Sequence, residues 1–374
     1  MKILIIASYP QSILAFRGKL IEALQISKIK EVHIVAPGLK KKSQINNHLE
    51  FIGVKTHNIK LSRNGINPIS DIITLFHLLM LINKLKPQYV LAYTIKPVIY
   101  GLLAASILRV PNCFALITGL GYSFTGEAKG LRGLLKKLLI QMYKLALRNS
   151  KKIFFQNPDD KALFEFLNII PNSNNAVIIN GSGVDLKYFS EVSLPKKISF
   201  LMIARLLGDK GIHEYAYAAN RIKKKHSNVL FYLVGWIDGN PDAISQTELD
   251  EWTNDGTLSF LGKLEDVRPT IAKTSVYVLP SYREGTPRTV LEAMAMGRPI
   301  ITTDAPGCRE TVVNGLNGYL VPVKSVDKLE EAMLKFLNNS DLCVSMGKQS
   351  RRIAEEKYDV HKVNTFMLNE MGIT

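Results

Sequence analysis

Two acidic residues, Glu284 and Glu292, stand on either side of a short loop and the predicted start of a helix. A pair of carboxyl groups hydrolyses a glycosidic bond when the two lie roughly 5–9.5 Å apart. Eight residues at helical rise would separate these two by roughly 12 Å, and an extended loop would separate them further. The spacing therefore argues against a hydrolytic pair and favours carboxylates that accept hydrogen bonds from ligand hydroxyl groups. The alternative is a solvated loop residue and a helix-surface residue.

The loop between the two carboxylates follows a predicted strand, Val276–Leu279. Thr286 is the predicted N-cap of the next helix, Pro287 its first residue and Gly297 its C-terminal stop. A helix N-terminus offers free N–H groups and the positive end of the helix dipole. The segment therefore predicts an anion site that suits a diphosphate, with Gly285, Thr286 and Pro287 beside it.

Two cations, Arg205 and Lys210, follow another predicted strand. Arg205 supplies a planar fork for phosphate oxygens, and Lys210 supplies a mobile point charge. Departure of a nucleoside diphosphate builds negative charge on its phosphates, and preplaced donors stabilise that transition state. Without this context, both cations would be ordinary surface residues.

The composition fits two domains without a disulfide framework. A chain of 374 residues is too long for one ordinary domain, and its apolar content of 47% is enough for two cores. Cys113, Cys308 and Cys343 have no metal or disulfide spacing, which fits a reducing cytoplasm. The start, Met1–Ala7, is expected to be a buried strand rather than a signal peptide. The longest apolar run, Ile72–Ile82, is expected to be too short to cross a bilayer.

Short runs of Val, Ile, Leu and Phe recur along the chain with helical stretches between them. Such runs are typical of strands buried on both faces of a parallel sheet, and their spacing fits repeated strand–helix–strand units. The sequence therefore predicts an α/β fold of two doubly wound, Rossmann-like parallel-sheet domains that face a cleft at their strand ends. The predicted strands are Lys2–Ala7, Glu31–Ala36, Val54–Lys60, Tyr89–Ala92, Cys113–Thr118, Ile153–Phe155, Val177–Asn180, Ser199–Ala204, Val229–Val234, Leu258–Leu261, Val276–Leu279 and Pro299–Thr302.

The domain boundary is predicted just before the polar segment Glu191–Lys197, which precedes a fresh apolar strand. This gives an N-terminal domain of residues 1–190, which would face the acceptor and the membrane, and a C-terminal, donor-binding domain of residues 191–357. The stretch 358–374 could cross back onto the first domain, which the pattern alone does not decide.

The net charge of +16 lies entirely in the first half of the chain. Residues 1–190 contain 25 Lys and Arg against 9 Asp and Glu, whereas residues 191–374 contain 23 of each. Such an excess attracts nucleic acid, anionic lipid or a phosphorylated substrate, and the alternative is general solubility. The aromatic residues are scattered through predicted core strands rather than along a basic face, so no nucleic-acid partner is expected.

The pattern of these charged residues resembles the retaining family-4 glycosyltransferases of the GT-B fold. Their hallmark is a Glu, seven residues and a second Glu, which Glu284 and Glu292 match, and Arg205 and Lys210 match the cations of the family. The resemblance implies that Glu284 meets the donor sugar, that Glu292 meets the nucleotide ribose, and that the two cations bind the diphosphate. Glu284, Arg205 and Lys210 are accordingly the predicted catalytic residues.

Further matches complete the predicted donor site and extend the resemblance over essentially the whole chain. Gly235 matches a family position, and Lys263 and Val267 lie in a stretch that resembles the one holding the base. Leu291–Pro299 and Thr303–Glu310 are a very specific match. The predicted donor is a UDP-sugar, with a GDP-sugar as the other choice. Asp-x-Asp, Walker and clustered Cys/His motifs do not occur, so neither a metal nor another cofactor is expected.

Two segments of the first half, Tyr93–Pro97 and Thr118–Tyr122, resemble a bacterial subgroup of these enzymes. That subgroup builds capsule, O-antigen or N-glycan precursors on polyprenyl-diphosphate carriers, and some members transfer N-acetylgalactosamine. The resemblance implies a polyprenyl-diphosphate-linked acceptor and a cytoplasmic protein, peripheral on the inner face of the bacterial membrane. Many members carry a His in the second segment, which this chain lacks, so the catalytic residue of this domain is left unassigned. The predicted acceptor or cleft residues are Arg17, Gly18, Lys96, Gly119 and Gly121.

A basic amphipathic helix is predicted over residues 131–148. Its apolar residues recur at helical spacing and are flanked by Lys and Arg, which suits an anionic membrane surface. The same stripe would equally well pack on the sheet. The stripe consists of Leu131, Leu134, Leu135, Leu138, Met142 and Leu145.

Two other functions stay open within the same fold. One is a nucleotide-sugar epimerase, which would release an epimerised sugar without an acceptor. The other is a glycosyltransferase that acts on a soluble acceptor.

Overall fold

The computed structural model of the protein describes residues 1–41, 43–62, 67–120, 130–170 and 172–373. In this part of the chain, thirteen strands form two parallel sheets, one of seven strands and one of six. The first sheet contains β1 (Lys2–Ile6), β2 (Glu31–Ala36), β3 (Lys55–Asn58), β4 (Tyr89–Tyr93), β5 (Asn112–Ile117), β6 (Lys152–Phe155) and β7 (Ala176–Ile178). The second sheet contains β8 (Ser199–Ile203), β9 (Leu230–Val234), β10 (Ser259–Phe260), β11 (Val276–Leu279), β12 (Ile300–Thr303) and β13 (Gly318–Val321).

Both sheets have the strand order of a doubly wound fold. The first runs β3-β2-β1-β4-β5-β6-β7 and the second runs β10-β9-β8-β11-β12-β13. The order reverses between β1 and β4 in one sheet and between β8 and β11 in the other. Ligands of such sheets bind beyond the carboxyl ends of the strands at this reversal. The predicted α/β class with two Rossmann-like parallel sheets is therefore confirmed.

The chain folds into two compact units that are described here separately. Unit 1 consists of Met1–Ser182 and His361–Thr374, and unit 2 consists of Gly183–Val360. The stretch that follows unit 2 thus returns to unit 1.

Helices accompany both sheets. They are α1 (Pro10–Gln25), α2 (Gln44–Phe51), α3 (Pro68–Leu85), α4 (Leu102–Ile107), α5 (Gly130–Leu147), α6 (Pro158–Phe166), α7 (Ile212–Lys225), α8 (Gln246–Asn254), α9 (Arg268–Ala272), α10 (Arg288–Ala295), α11 (Val326–Asn338), α12 (Asp341–Lys357) and α13 (Val360–Glu370).

The change of unit comes earlier than the predicted boundary at residue 190. Val184 forms a β-bridge with Asp359, and its side chain is buried with Phe189 in the core of unit 2. The sequence analysis took the polar segment after residue 190 as the boundary, whereas the chain has already entered the second core at Val184. Because Asp359 pairs with Val184, the chain remains in unit 2 as far as Val360.

Unit 1 has helices on both faces of its sheet. Helices α3 to α6 bury apolar side chains against one face, and α1, α2 and the C-terminal segment bury theirs against the other. An ion pair between Lys152 and Glu370, 2.7 Å, further attaches α13 to this unit.

The predicted helix at residues 131–148 is α5, and the residues of its apolar stripe differ in burial. Met142 packs against the core, whereas Leu134, Leu138 and Leu145 are exposed; the side chains of residues 131 and 132 lie outside the described part.

Helix α3 is longer than the apolar run from which it was predicted. It is the one described helix whose length and composition would allow it to cross a membrane. In the structure, its Leu78 and Ile82 pack on the sheet of unit 1. The prediction from Ile72–Ile82 alone underestimated this helix, because Pro68 and the residues beyond Ile82 continue it.

Unit 2 has a single core around its sheet, with α7 packed against α11 and α10 against α12. The strands β8, β11 and β12 are buried along their whole length, as their continuous apolar runs predict. Strand β13 was not predicted. Its run is short and begins at Gly318, directly after the turn-forming residues Asn314, Gly315 and Asn317.

Candidate active site

The predicted catalytic residues follow the two strands between which the order of the second sheet reverses. Arg205 comes two residues after β8, and Lys210 ends the 3-10 turn that leads into α7. Glu284 lies in the loop between β11 and α10. Because neighbouring parallel strands end at the same edge of a sheet, these three residues lie at the reversal, where doubly wound sheets bind ligands.

Lys210 and Glu284 form a largely buried ion pair. The Lys210 ammonium lies 2.7 Å from Glu284 Oε1, and the Ser281 hydroxyl donates to the same oxygen at 2.9 Å. Burial by itself lowers the pKa of Lys210, but the charges of Glu284 and Asp209 outweigh it and raise that pKa above its usual 10.5. Lys210 therefore carries its charge throughout the neutral range and fixes the direction of the Glu284 carboxylate.

The backbone around Glu284 is held from two sides. Its amide donates to the carbonyl of Pro306 at 2.9 Å, and the amide of Tyr282 donates to the carbonyl of Asp209 at 2.8 Å. Gly307 has a φ of +80°, and a Cβ atom on it would overlap the carbonyl oxygen of Glu284. Only glycine fits such a position without strain. The loops after β8, β11 and β12 are thus joined at the candidate site.

Arg205 is oriented by a carboxylate that the sequence analysis did not single out. Its guanidinium lies 3.0 Å from Asp238 Oδ2, in the loop after β9. The same loop holds the Lys210 turn, because Asp242 Oδ2 accepts from the amide of Asp209 at 2.8 Å. Burial raises the pKa of Asp209, Lys210 opposes this shift, and the nearby Glu284 adds to it. The position of Asp238 in the loop after a predicted strand was a signal that could have identified it.

Helix α10 begins one residue later than predicted. Pro287, not Thr286, is its N-cap, because a ψ of 109° keeps Pro287 extended while its carbonyl accepts the first helical hydrogen bond from Val290. Proline fixes φ but leaves ψ free. Gly297 follows the helix with a φ of +79°, as the predicted stop requires. The N-terminus of α10 still begins directly after the Glu284 loop.

Glu292 lies on α10 and is buried beside Arg288. The guanidinium donates to Glu292 Oε1 at 2.8 Å, from one helical turn earlier. Burial raises the pKa of Glu292, and Arg288 opposes this rise. A buried carboxylate with one oxygen directed by a cation is suited to accept a hydroxyl hydrogen bond. The i,i+4 spacing of Arg288 and Glu292 could have predicted this pair from the sequence.

The residues predicted to surround the base follow β9 and β10. The Lys263 ammonium lies 5.1 Å from the ring centre of Trp236, an exposed aromatic residue that the sequence analysis did not single out. Val267 is the N-cap of α9 and packs in part on the core of unit 2. The amide of Gly235 donates to the carbonyl of Gly262 at 3.0 Å, which joins the two strand ends.

Replacing Gly235 by alanine is expected to weaken binding of the predicted nucleotide about tenfold or more. A Cβ atom here would overlap the carbonyl oxygen of Ala204, so the end of β9 must move away from the chain that leads to Arg205. Misplacing a binding group by about 1 Å is enough for such a loss. Gly239→Ala in the same loop is the matched control, because a Cβ there meets nothing within 4 Å. Equal affinity of the two variants in calorimetric titrations would contradict the role of Gly235.

The predicted acceptor residues belong to unit 1, and two of them, Arg17 and Lys96, lie near the reversal of its sheet. Arg17 is buried on α1, with its guanidinium 5.3 Å from the ring centre of Tyr93 at the end of β4. Lys96 is held by Asp71 of α3 at 2.7 Å. A Cβ atom on Gly18 would meet nothing within 4 Å, and Gly119 has a φ of +127°. Gly121 lies outside the described residues. The roles of these residues stay predictions.

Thr94, directly after β4, is a further candidate in unit 1. It has a φ of +69°, which is costly for a β-branched residue, and its hydroxyl donates to Ser8 Oγ at 2.8 Å. Ser8 follows β1, so this hydrogen bond joins the two strand ends at the reversal. Backbone strain of this kind is concentrated at functional sites.

Within the described part of the chain, there is no group of three or more metal-ligating side chains.

Two family models match the chain, one in each unit. The family model described as "Glycosyl transferases group 1" matches residues 185–353, and the model "Glycosyl transferase 4-like" matches residues 4–157. These matches correspond closely to units 2 and 1.

Two curated relatives and one solved structure are similar over most of the chain. An N,N'-diacetylbacillosaminyl-diphospho-undecaprenol alpha-1,3-N-acetylgalactosaminyltransferase of Campylobacter jejuni is 29% identical, over 92% of this chain and 91% of the relative. A UDP-Gal:alpha-D-GlcNAc-diphosphoundecaprenol alpha-1,3-galactosyltransferase of Escherichia coli is 26% identical, over 81% of this chain and 79% of the relative. The structure of Anabaena HepE in complex with UDP has a TM-score of 0.79 and 16% identity, and it covers 100% of both chains.

The structural similarity supports the fold, and the two family matches together span most of both units. The Glu284–Glu292 pattern and the cations at the strand reversal lie within the matched group 1 region. The chain is therefore an enzyme of the glycosyltransferase family that joins a glycosyl transferase 4-like region to a group 1 region.

Proposed function

We propose that this glycosyltransferase moves a hexose or N-acetylhexosamine from a UDP-sugar to a saccharide linked to polyprenyl diphosphate, with retention at the anomeric carbon. The observation that carries the proposal is the set of two cations, Arg205 and Lys210, placed after β8 near the partly buried Glu284 carboxylate. A diphosphate leaving group needs fixed positive charge at the atoms where its negative charge grows.

The proposed chemical step uses these residues without a metal ion. The bond between the sugar C1 and the β-phosphate oxygen breaks, and the acceptor hydroxyl oxygen bonds to C1 on the same face. The hydroxyl proton goes to the departing phosphate oxygen. Arg205, Lys210 and the N-terminus of α10 stabilise the charge on that phosphate. Glu284, held by Lys210 and Ser281, accepts hydrogen bonds from the sugar, and Glu292 accepts one from the ribose.

The proposed donor is a UDP-sugar rather than a GDP-sugar. The E. coli relative is named for UDP-Gal, and HepE was solved with UDP. Trp236 and Lys263, which follow β9 and β10, lie where the base is proposed to bind.

The proposed acceptor is a saccharide on a polyprenyl diphosphate, in the assembly of a surface polysaccharide or glycan. Both curated relatives are named for acceptors linked to undecaprenol through a diphosphate. Unit 1 contains the whole positive excess of the chain, with 25 Lys and Arg against 9 Asp and Glu. Such a field favours a phosphorylated acceptor and an anionic membrane surface. We therefore propose a peripheral location on the inner face of the cytoplasmic membrane.

Calorimetric titration with UDP and GDP, in the presence of EDTA, tests the donor and the diphosphate site. We expect the protein to bind UDP more tightly than GDP. Arg205→Ala should weaken UDP binding about tenfold to a hundredfold, because it removes charge-assisted hydrogen bonds to phosphate. Arg221→Ala is the matched control: Arg221 also pairs with an aspartate, Asp327, but on the exposed outer side of α7.

A different result would contradict each part of the proposal. Tighter binding of GDP would contradict the proposed nucleotide, and equal losses in the two Arg variants would contradict the site. Binding that requires added metal would contradict a metal-independent donor site. Incubation with UDP-sugars and a short-chain polyprenyl-diphosphate-linked saccharide then tests transfer, and an inverted anomeric centre in the product would contradict retention.

A further inference from the structure

Helix α3 exposes an apolar stripe that no other described residue of unit 1 covers. Its exposed large apolar residues have spacings of three and four along the helix, which places them on one face. The opposite face carries Asp71, Thr74, Leu78 and Ile82, all of them buried. Only 22% of this apolar helix is buried. The exposed residues of the stripe are Ile69, Ile72, Ile73, Phe76 and Met80.

A second exposed apolar group lies in the same helical layer. Helices α3 and α5 both pack against α4 and against the π-helical turn Pro97–Gly101. Leu134 and Leu138 of α5 are exposed. We call the α3 stripe together with Leu134 and Leu138 the apolar surface.

The apolar surface lies toward the edge of the sheet where the strands end. The hydroxyl of Thr74 donates to the carbonyl of Lys60, just after β3, at 2.8 Å, and Asp71 pairs with Lys96, just after β4. The N-terminal half of α3, which holds most of the stripe, is therefore at the carboxyl edge. Leu134 and Leu138 lie in the N-terminal half of α5, and α5 is the helix that follows β5 in the element order. This is the edge at which a doubly wound sheet binds its ligands.

Apart from Asp71, the described charged residues on α3 and α5 are basic. Helix α5 contains Lys136, Lys137 and Lys144 and no acidic residue. The one acidic residue of α3, Asp71, is buried and paired with Lys96. Anionic lipid headgroups attract such a surface, whereas two copies of unit 1, each with an excess of 16 positive charges, repel one another.

We propose that the apolar surface is the membrane-docking face of the enzyme, on which α3 lies in the lipid interface beside the carboxyl edge of unit 1. Helix α3 does not span the bilayer, because its inner face is fixed to the sheet by Leu78, Ile82, Thr74 and Asp71. An amphipathic helix in this position buries its apolar face just below the headgroups. This inference rests on the proposed lipid-linked acceptor, whose diphosphate sits at the same depth in the membrane.

Vesicle flotation with a matched pair of Phe variants tests the docking face. Phe76 is 58% exposed on the stripe, and Phe51 is 88% exposed at the end of α2, which packs on the opposite face of the sheet. We expect the wild type and Phe51→Glu to float with vesicles that contain phosphatidylglycerol. Phe76→Glu should partition about tenfold or more weakly, because a buried Phe contributes that much to transfer from water. Both changes are at exposed positions, so thermal unfolding should be unaltered.

Three results would overturn the docking face. They are absence of wild-type binding to anionic vesicles, equal partition of the two Phe variants, and a wild-type dimer that Phe76→Glu converts to a monomer in light scattering. The last would mean that a second copy of the chain covers the surface. UDP binding, measured in the same preparations without lipid, is independent of docking. Its retention in a protein that does not float would refute the membrane face and leave the proposed donor site intact.

Discussion

Replacing Lys210 by alanine is expected to lower kcat by about a hundredfold to a thousandfold, which is the usual loss when one donor to a developing anion is removed. Two effects combine in this variant. The leaving diphosphate loses a cation, and Glu284 loses the ammonium that lies 2.7 Å from its carboxylate. Asp209 loses the Lys210 charge that opposes the rise of its pKa, whereas the Glu284 charge that raises this pKa remains.

Because Lys210 and Glu284 are in direct contact, their effects should not multiply. We expect Lys210→Ala/Glu284→Gln to be about as slow as the slower single variant, as is usual for residues that act as a unit. Rates of UDP release are measured at saturating donor and acceptor. The matched control is Lys328→Ala, since Lys328 forms an equally short ion pair with Glu331, 2.8 Å, at an exposed position. Exposed pairs of this kind contribute little.

Two results would contradict this account of the pair. If Lys210→Ala keeps kcat within about threefold of the control, the ammonium does not stabilise the leaving group. If the two single effects multiply in the double variant, Lys210 and Glu284 act independently, and the ion pair has no part in directing the carboxylate.

The fold could be predicted from the sequence because strands buried on both faces leave continuous apolar runs. Strands β8 and β11 show such runs and flank the reversal of the second sheet. Strand β13 could not be predicted in this way, since Gly318 opens it and its middle residues are only partly buried. The domain boundary was misplaced for a related reason: the bridge between Val184 and Asp359 joins positions far apart in the chain, and nothing local indicates it.

The residues of the candidate site were predicted from their types, their spacing and the family resemblance, but the pairings between them were not. The partner of Arg205, Asp238, is 33 residues away, and the partner of Lys210, Glu284, is 74 residues away. Such pairs depend on how the loops at neighbouring strand ends meet, which only the folded sheet determines. The pair of Arg288 and Glu292 differs, because one helical turn separates the two residues.

Arg298 directly follows the motif around α10 in the sequence and has a purely structural environment. It is fully buried, and all five of its hydrogen bonds go to backbone carbonyl groups. A guanidinium has five N–H donors, so each can be satisfied here. Burial lowers the pKa of Arg298 to about 10, and the charge of Glu191 opposes that shift. The acceptors are Val192 at 2.9 Å, Ser193 at 3.2 Å, Ile271 at 3.0 Å, Ala272 at 3.1 Å and Met296 at 2.9 Å.

Replacing Arg298 by methionine is expected to lower the free energy of unfolding of unit 2 by at least about 3 kcal/mol, because several buried carbonyl groups lose their donors at once. Arg298→Lys should recover only part of this loss, since an ammonium has three donors without the planar fork. Urea denaturation followed by tryptophan fluorescence reports on this unit alone, because both tryptophans, Trp236 and Trp252, lie in it.

The control for this change is Arg352→Met, an exposed arginine on α12 that pairs with Glu356. We expect it to stay within about 0.5 kcal/mol of the wild type. A comparable loss in both variants would mean that the charge of the unit, rather than the five carbonyl contacts, determines its stability. A large loss for Arg298→Met alone would mean that one guanidinium holds the segment entering unit 2, the end of α9 and the end of α10 together. In that case the arginine just after the Glu284–Glu292 motif supports the site through folding rather than through contact with substrate.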